Sequence, residues 1–593
     1  MYDYSSRQRL AECGCWVAIL LLLGIVAGGV LATDPAGLRS RLVAAMGDER
    51  RHEITAFVSS LTARKVDTAD MVPIQHVGVN PIGVNTFLEQ EAEISKRRQT
   101  LQMIKDAGIG WIRQQFPWED IERPSKGMYW DEKYGYSSWD KYDNIVDLAN
   151  EYGIQMIVRL DLPPKWTHPN NQWPHTPPDN FEDYGDFVYK VVSRYKGKVK
   201  YYQLWNEPNL STEWGGKPVD AREYVRLLKI GYQRAKEADP NCVIVSAALA
   251  PTIEESWRAL NDQIYLQRMY DAGAKDYFDI LSVMAYGLRS GPDDRRLTLQ
   301  DVNFSRPLLI REIMVKNGDA AKPIWASEMG WNAQPESVRA EPVFGRVSEQ
   351  LQARYTVRAF QRAAEEWPWM GVMNIWFFKR ASDHEKDQPF YYFRMVEPDF
   401  ATHPVYDAVK EYGGNQPTVH RGYSQESHWA LKYEGGWTEV KEPQASLGGM
   451  RRADQAGASI ETQFQGTDLT LVVPKGPGLG RAYIEIDGSP QGANLLPRDE
   501  AGRAYLELSG PAQLWQQQVP VAAGLITGVH QLKVTAASAF ALDGLIVDAP
   551  TPTSPVEQVA QALPYLAAAG LLILMGMAMT LRMRNRNRGR LRI

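Results

Sequence analysis

Val199-Lys200-Tyr201-Tyr202-Gln203-Leu204-Trp205-Asn206-Glu207-Pro208-Asn209 is an apolar, aromatic-rich run that stops on a carboxylate. Residues 199–206 have the length and composition of a strand covered on both faces, and the Pro and Asn that follow close it. Pro323-Ile324-Trp325-Ala326-Ser327-Glu328-Met329-Gly330-Trp331 repeats the pattern, placing its glutamate 121 positions after the first. The spacing predicts a strand over 323–328.

Further strands are predicted at 76–80, 109–116, 154–161, 243–248, 279–286 and 372–378. Amphipathic stretches at 89–107, 139–152, 181–195 and 222–238 predict helices between them. Asp106-Ala107-Gly108 and Glu151-Tyr152-Gly153 place glycine where a helix C-cap belongs, just ahead of a strand. Eight strands alternating with helices over residues 71–413 imply an α/β fold, a (β/α)8 TIM barrel with enlarged loops. A doubly wound open sheet is the alternative, but no Gly-rich phosphate loop follows the first strand.

Residues 414–427 form a polar linker. The pattern in 428–550 changes to short alternating strands broken by Gly, Asp and Pro, at 459–464, 469–473, 482–486, 529–535 and 541–547. That pattern implies an all-β sandwich. Its rhythm resembles a galactose-binding-like jelly roll, with Trp429, Trp437 and Trp515 as candidates for stacking on sugar.

Two hydrophobic segments bracket these domains. Residues 13–32 hold an uncharged run long enough for a transmembrane helix or signal anchor after a short cytoplasmic N-terminus, residues 1–12. Val30-Leu31-Ala32 also suits a signal-peptidase site, so cleavage stays open. Residues 33–70 are expected as a juxtamembrane stalk. After a Thr/Pro-rich linker at 551–558, residues 559–581 give a second transmembrane helix. The tail at 582–593 carries Arg582, Arg584, Arg586, Arg588, Arg590 and Arg592 with no acid. By the positive-inside rule that tail is cytoplasmic. Both termini then lie inside, and the domains between them face the extracellular side of the cell membrane.

The net charge of −5 offers no basic field for nucleic acid. The three cysteines, Cys13, Cys15 and Cys242, leave the soluble part without an internal disulfide, and no Cys or His cluster suggests a metal. Of the 18 tryptophans, 14 fall between Trp111 and Trp376. Flat indole faces suit sugar rings, although a large barrel also buries tryptophan for packing.

In a (β/α)8 barrel the C-terminal strand ends converge on the active site. Asn80, Arg113, Trp118, Asp161, Asn206, Glu207, Tyr286, Glu328 and Trp376 stand at those predicted ends. Two carboxyls there, about 5–5.5 Å apart, are what a retaining glycosidase requires. Glu207 would be the general acid and base, and Glu328 the nucleophile. Asn206 is placed to bond a sugar 2-hydroxyl. Arg113 and Tyr286 are placed to orient Glu328, and Trp376 to floor the cleaved subsite. Trp166, Trp173 and Trp214 lie in long loops and are candidates for outer subsites. His168 and His175 are expected on a loop surface.

Leu204-Trp205-Asn206-Glu207-Pro208-Asn209 resembles the acid/base motif of clan A glycoside hydrolases, family 39 above all, with families 5 and 51 as relatives. Ile324-Trp325-Ala326-Ser327-Glu328-Met329-Gly330-Trp331 is similar to that clan's nucleophile motif. The resemblance covers about residues 74–410. It implies a retaining (β/α)8 enzyme with acid/base on strand 4 and nucleophile on strand 7. One departure is Met284, where the clan often carries His two residues before the strand-6 Tyr. The expected substrate is a poly- or oligosaccharide, with no cofactor, since two carboxylates and water suffice. Transglycosylation in envelope glycan assembly and a catalytically idle saccharide receptor remain the alternatives. Sugar, linkage, endo or exo cleavage and oligomeric state stay open.

Overall fold

The computed structural model describes residues 64–549. The two predicted transmembrane segments, the N-terminus, most of the stalk, the linker at 551–558 and the basic tail lie outside them. Among the described residues no helix is long and apolar enough to cross a membrane.

Eight parallel strands make the first domain: β1 (Ile82–Thr86), β2 (Trp111–Pro117), β3 (Gln155–Asp161), β4 (Tyr201–Leu204), β5 (Val243–Val245), β6 (Leu281–Tyr286), β7 (Ile324–Gly330) and β8 (Met370–Ile375). They pair in the order β5-β4-β3-β2-β1-β8-β7-β6. Single parallel bridges, Val245 to Ile280 and Leu249 to Val283, close the ring between β5 and β6. β1, β4, β7 and β8 are buried along their whole length, as expected where helices cover a parallel sheet.

The surrounding helices are α1 (Ile94–Asp106), α2 (Trp139–Tyr152), α3 (Phe181–Tyr195), α4 (Ala221–Ala238), α5 (Asp262–Asp271), α6 (Pro307–Lys316), α7 (Glu349–Glu366) and α8 (Pro404–Gly413). Local chemistry sets their ends. The side chains of Asn180, Asp220, Asn261 and Ser348 cap the N-termini of α3, α4, α5 and α7 by accepting from backbone N–H groups. Gly153, at φ 71°, ends α2 in the left-handed region that glycine enters without steric cost.

The predicted strand at 76–80 is not formed. The first strand begins at Ile82, and Asn80 turns the chain into it, accepting from Ile82 N–H and donating to Gly108 O at the base of the barrel. An aromatic plug closes that base: the Trp111, Tyr201 and Trp325 rings lie about 5 Å apart. The Trp325 indole N–H donates to His76 O. A Cβ on Gly371 would fall 2.0 Å from that indole nitrogen, so only glycine fits there.

The second domain holds three sheets, antiparallel except for one short strand pair, around a core that includes Phe464, Leu471, Ile484 and Val534. It starts earlier than the sequence suggests. Thr418–Val419 and Gly422–Gln425, inside the expected linker, already pair with Ser459–Gly466 and Gly544–Asp548. The domain packs on the base of the barrel, where Trp429 N–H donates to Gly78 O at 2.9 Å. A cavity of about 330 Å³ lies in this junction, between residues such as Met370 and Tyr412 on one side and His428 and Trp429 on the other. Nearby, Arg421 bonds Asp70 at 2.7 Å and lies 3.8 Å from Asp548. The last residues of the expected stalk are therefore fastened to the body, and Arg64 adds a two-pronged bond to Glu312.

Candidate active site

β4 stops at Leu204, and the next residues turn sharply. Trp205 (φ 76°) and Glu207 (φ 42°) both adopt left-handed backbone, which non-glycine residues enter only where surrounding structure holds them. Trp205 N–H donates to Leu160 O of β3, and Glu207 N–H to Ala248 O just beyond β5. The strained turn is thus pinned to both neighbours, which fixes where the Glu207 carboxyl stands.

Glu328 lies in β7, 6% exposed. The pairing of β6 with β7 slips by one residue just before it: Val283 faces Ala326, but Met284 faces Glu328. Ser327 is the extra residue of this bulge, a device that re-aims side chains beside active sites. The Arg113 Nη1 donates to Glu328 Oε1 at 2.9 Å and the Tyr286 hydroxyl to Oε2 at 2.6 Å. Both carboxylate oxygens are therefore held.

The same guanidinium spans the barrel. It donates to Asn85 at 2.8 Å, to Gln203 at 2.7 Å, and through Nη2 to Asn206 Oδ1 at 2.8 Å. Asn206 Nδ2 in turn reaches Glu207 Oε2 at 3.5 Å. One buried cation thereby connects the nucleophile candidate to the acid candidate. Gln203 also donates to Ser327 Oγ at 2.8 Å, and Ser327 bonds Ser282. Asn85 donates to Ser327 O and Ile375 O.

This arrangement separates the two acids electrostatically. Burial pushes the Glu207 carboxyl well above the usual carboxylate range, and the neighbouring charges of Glu213 and Glu328 push it further. Glu328 has an arginine at bonding distance. Burial lowers the Arg113 guanidinium to about 10, with Arg159 acting the same way and Glu328 against it, so it stays cationic at neutral pH. Burial and the Glu328 charge raise the Tyr286 phenol well above its ordinary value, so it remains a donor. A neutral carboxyl beside an ion-paired one is the division of labour that glycoside cleavage with a covalent intermediate needs.

Residues 72–266 match the family described as cellulase (glycosyl hydrolase family 5). This barrel is a glycoside hydrolase domain. Its resemblance is to the retaining enzymes of clan A. Solved structures similar to the chain include a family 39 glycoside hydrolase from Bacteroides cellulosilyticus WH2. That likeness has 17% identity over 80% of this chain and 83% of that one, with a TM-score of 0.44. A monomeric beta-xylosidase from Caulobacter crescentus CB15 shows 14% identity over 80% and 99%, at a TM-score of 0.41. A glucosidase from Croceicoccus marinus shows 12% identity over 79% and 97%, at 0.40. No curated protein matches the chain at a significant level.

Of the residues singled out by sequence, the hydrolase domain brings Arg113, Asn206, Glu207, Tyr286 and Glu328 into one bonded group. Trp376, half-buried at the end of β8, stands edge-on to Phe87 at 5.6 Å. Three expectations are corrected, for Asn80, Trp118 and Trp214. Asn80 is at the barrel's base, and the asparagine at the mouth end of β1 is Asn85. Trp118 is fully buried behind β2, stacked on Phe187 and edge-on to Trp166, with its indole N–H on Glu122, and faces no cleft. Trp166 is half-buried and donates to Glu122 O at 3.2 Å. Trp214 is fully buried.

The histidines also differ from expectation. His168 is 4% exposed, and the His175 ring, half-buried, faces the Glu213 carboxyl at 3.3 Å. Asn85, Gln203, Ser282 and Glu213 carry no motif of their own, and Ser327 lies in the nucleophile motif without having been singled out. The signal that could have found Gln203 is its alternation with Tyr201 in β4, since both point into the barrel.

Proposed function

We propose that this protein is a membrane-anchored, extracellular retaining glycoside hydrolase acting on poly- or oligosaccharides, with Glu207 as acid/base and Glu328 as nucleophile. The observation that carries the assignment is the Arg113 guanidinium bonded to both Glu328 and Asn206, with the neutral-leaning Glu207 one contact further on.

In the first step an oxygen of Glu328 attacks the anomeric carbon, and the glycosidic C–O bond breaks. Glu207 gives its proton to the departing oxygen, leaving a covalent glycosyl-enzyme and a Glu207 carboxylate. In the second step Glu207 takes a proton from water, whose oxygen attacks the anomeric carbon and frees Glu328. Arg113 and Tyr286 hold Glu328 in line. Asn206, fixed by Arg113 through its oxygen, keeps its amide nitrogen available for the sugar 2-hydroxyl.

The test is turnover of a panel of aryl glycosides and polysaccharides by the full chain, beside Glu328→Gln and Glu207→Gln. β-1,4-linked glucans head the panel because of the family matched. The expected result is turnover by the parent that Glu328→Gln abolishes. Equal turnover by parent and Glu328→Gln would overturn the assignment, and glycan binding without turnover by either would favour a receptor. Anchoring rests on the apolar runs at 13–32 and 559–581 and the arginine tail. It predicts that the chain stays with membranes through alkaline carbonate washing; release by the wash would refute it.

A further inference from the structure

Resting on that reading, we infer that Trp173 and Trp257 form a stacking platform for the leaving half of the substrate, and that this half is itself a glycan chain. Most tryptophans of the barrel are buried, but Trp173 is 57%, Trp257 55% and Trp130 47% exposed, and the first two lie on loops tied to the segment that bears the acid. Indole combines a large apolar face with a polar edge, which suits it to an exposed binding position.

Each ring has a neighbour that steadies it. Trp173 lies flat against Gly216: a Cβ there would come within 2.9 Å of its ring. The Arg258 guanidinium sits 5.1 Å from the centre of the Trp257 ring. Both are carried on loops leaving the mouth of the barrel, Trp173 after β3 and Trp257 after β5.

Both loops are laced to the segment that begins at the acid. Leu210 N–H donates to Glu207 O at 3.0 Å, Ser211 N–H to Arg258 O at 2.6 Å, Gly216 N–H to Ser211 O at 2.7 Å and Val219 N–H to Trp257 O at 3.1 Å. Asn171 bonds Gly215 O at 2.8 Å. Trp173 thus rests on Gly216 and Trp257 is tied to Val219, anchor points that three residues separate by at most about 11 Å.

The acid must face the oxygen that departs, so the loop bearing Glu207 borders the leaving group. Trp376 stands with β8, beside the strand that bears the nucleophile, and so on the opposite side from the acid's loop. Aromatic faces on the acid's side have no use for a small alcohol. They suit pyranose rings whose substituents are equatorial and whose C–H faces are flat and apolar. The enzyme therefore cuts within a chain, or releases a product at least two sugars long from the leaving side.

The test uses the full chain with cellohexaose, xylohexaose and mannohexaose as probes, each beside its 4-nitrophenyl monoglycoside. For the sugar the parent cleaves, Trp173→Ala and Trp257→Ala should lower kcat/KM on the hexaose about tenfold or more, chiefly through KM, as loss of an aromatic anchor does. Trp173→Phe should recover most of that loss. The loss on the nitrophenyl substrate should be several-fold smaller than on the hexaose. Equal losses on both substrates, or no loss on the hexaose, would overturn the platform while leaving the glycosidase assignment intact. Failure of the parent to turn over or bind any probe would remove both.

Discussion

Tyr286→Phe removes one oxygen and leaves the ring edge-on to Phe393 at 5.5 Å. The lost bond is the 2.6 Å donation to Glu328 Oε2, made in a buried site to an ionised acceptor. Such bonds contribute about 1.5–3 kcal/mol, and at about 1.36 kcal/mol per decade the rate falls about 10- to 160-fold. Arg113 keeps its hold on Oε1, which favours the lower part of that range. The assay is kcat/KM on the 4-nitrophenyl glycoside the parent prefers, with melting followed in parallel. Formation of the glycosyl-enzyme should slow in single-turnover measurements while melting stays within about 3 °C of the parent. A kcat/KM within about threefold of the parent, less than half a decade, in a folded variant would refute the claim that Tyr286 orients the nucleophile.

Glu207→Gln tests the raised pKa through stability. Because burial raises the native value above the unfolded one, near 4.3, the protonated acid supports the fold at low pH. That support is lost as pH climbs through the native value. The variant should melt with the parent near pH 4 and above it at pH 8, and equal melting at pH 8 would refute the assignment. Its turnover of glycosides with poor leaving groups should fall about 10²–10⁴-fold. Arg113→Met leaves the buried Glu328 charge and three amide oxygens without their donor, so urea unfolding should lose about 3–5 kcal/mol; an unchanged midpoint would count against it. Gly83→Ala would bring a methyl within 2.3 Å of Asn374 Oδ1 and 2.8 Å of Val372, costing about 1–3 kcal/mol in the same assay.

The carboxylate pair was legible because each glutamate ends a run too apolar to be anything but a buried strand, and barrel topology brings such ends together. Arg113 and Tyr286 were reached in the same way, as polar residues assigned to predicted strand ends. The first strand was not legible in this way. Residues 76–80 and 82–86 both alternate plausibly, and only pairing with β2 and β8 selects the second, which moves the functional asparagine from Asn80 to Asn85. Trp118 follows a strand end, but the chain there enters a single helical turn that carries the indole back against α3. Ser327 owes its position to a bulge, and Glu213 to a turn that returns towards Glu207. Neither register slips nor long-loop paths leave a periodic trace in sequence.

Arg421 joins Asp70, six residues after the described chain begins, to Asp548, one residue before it ends. Entrance and exit thus share one rivet under the floor of the barrel, on the side away from the catalytic mouth. Tension applied at the ends of the described residues is therefore met by Arg64 on Glu312 and by Arg421 on Asp70 and Asp548, and not by the loops that hold Glu207.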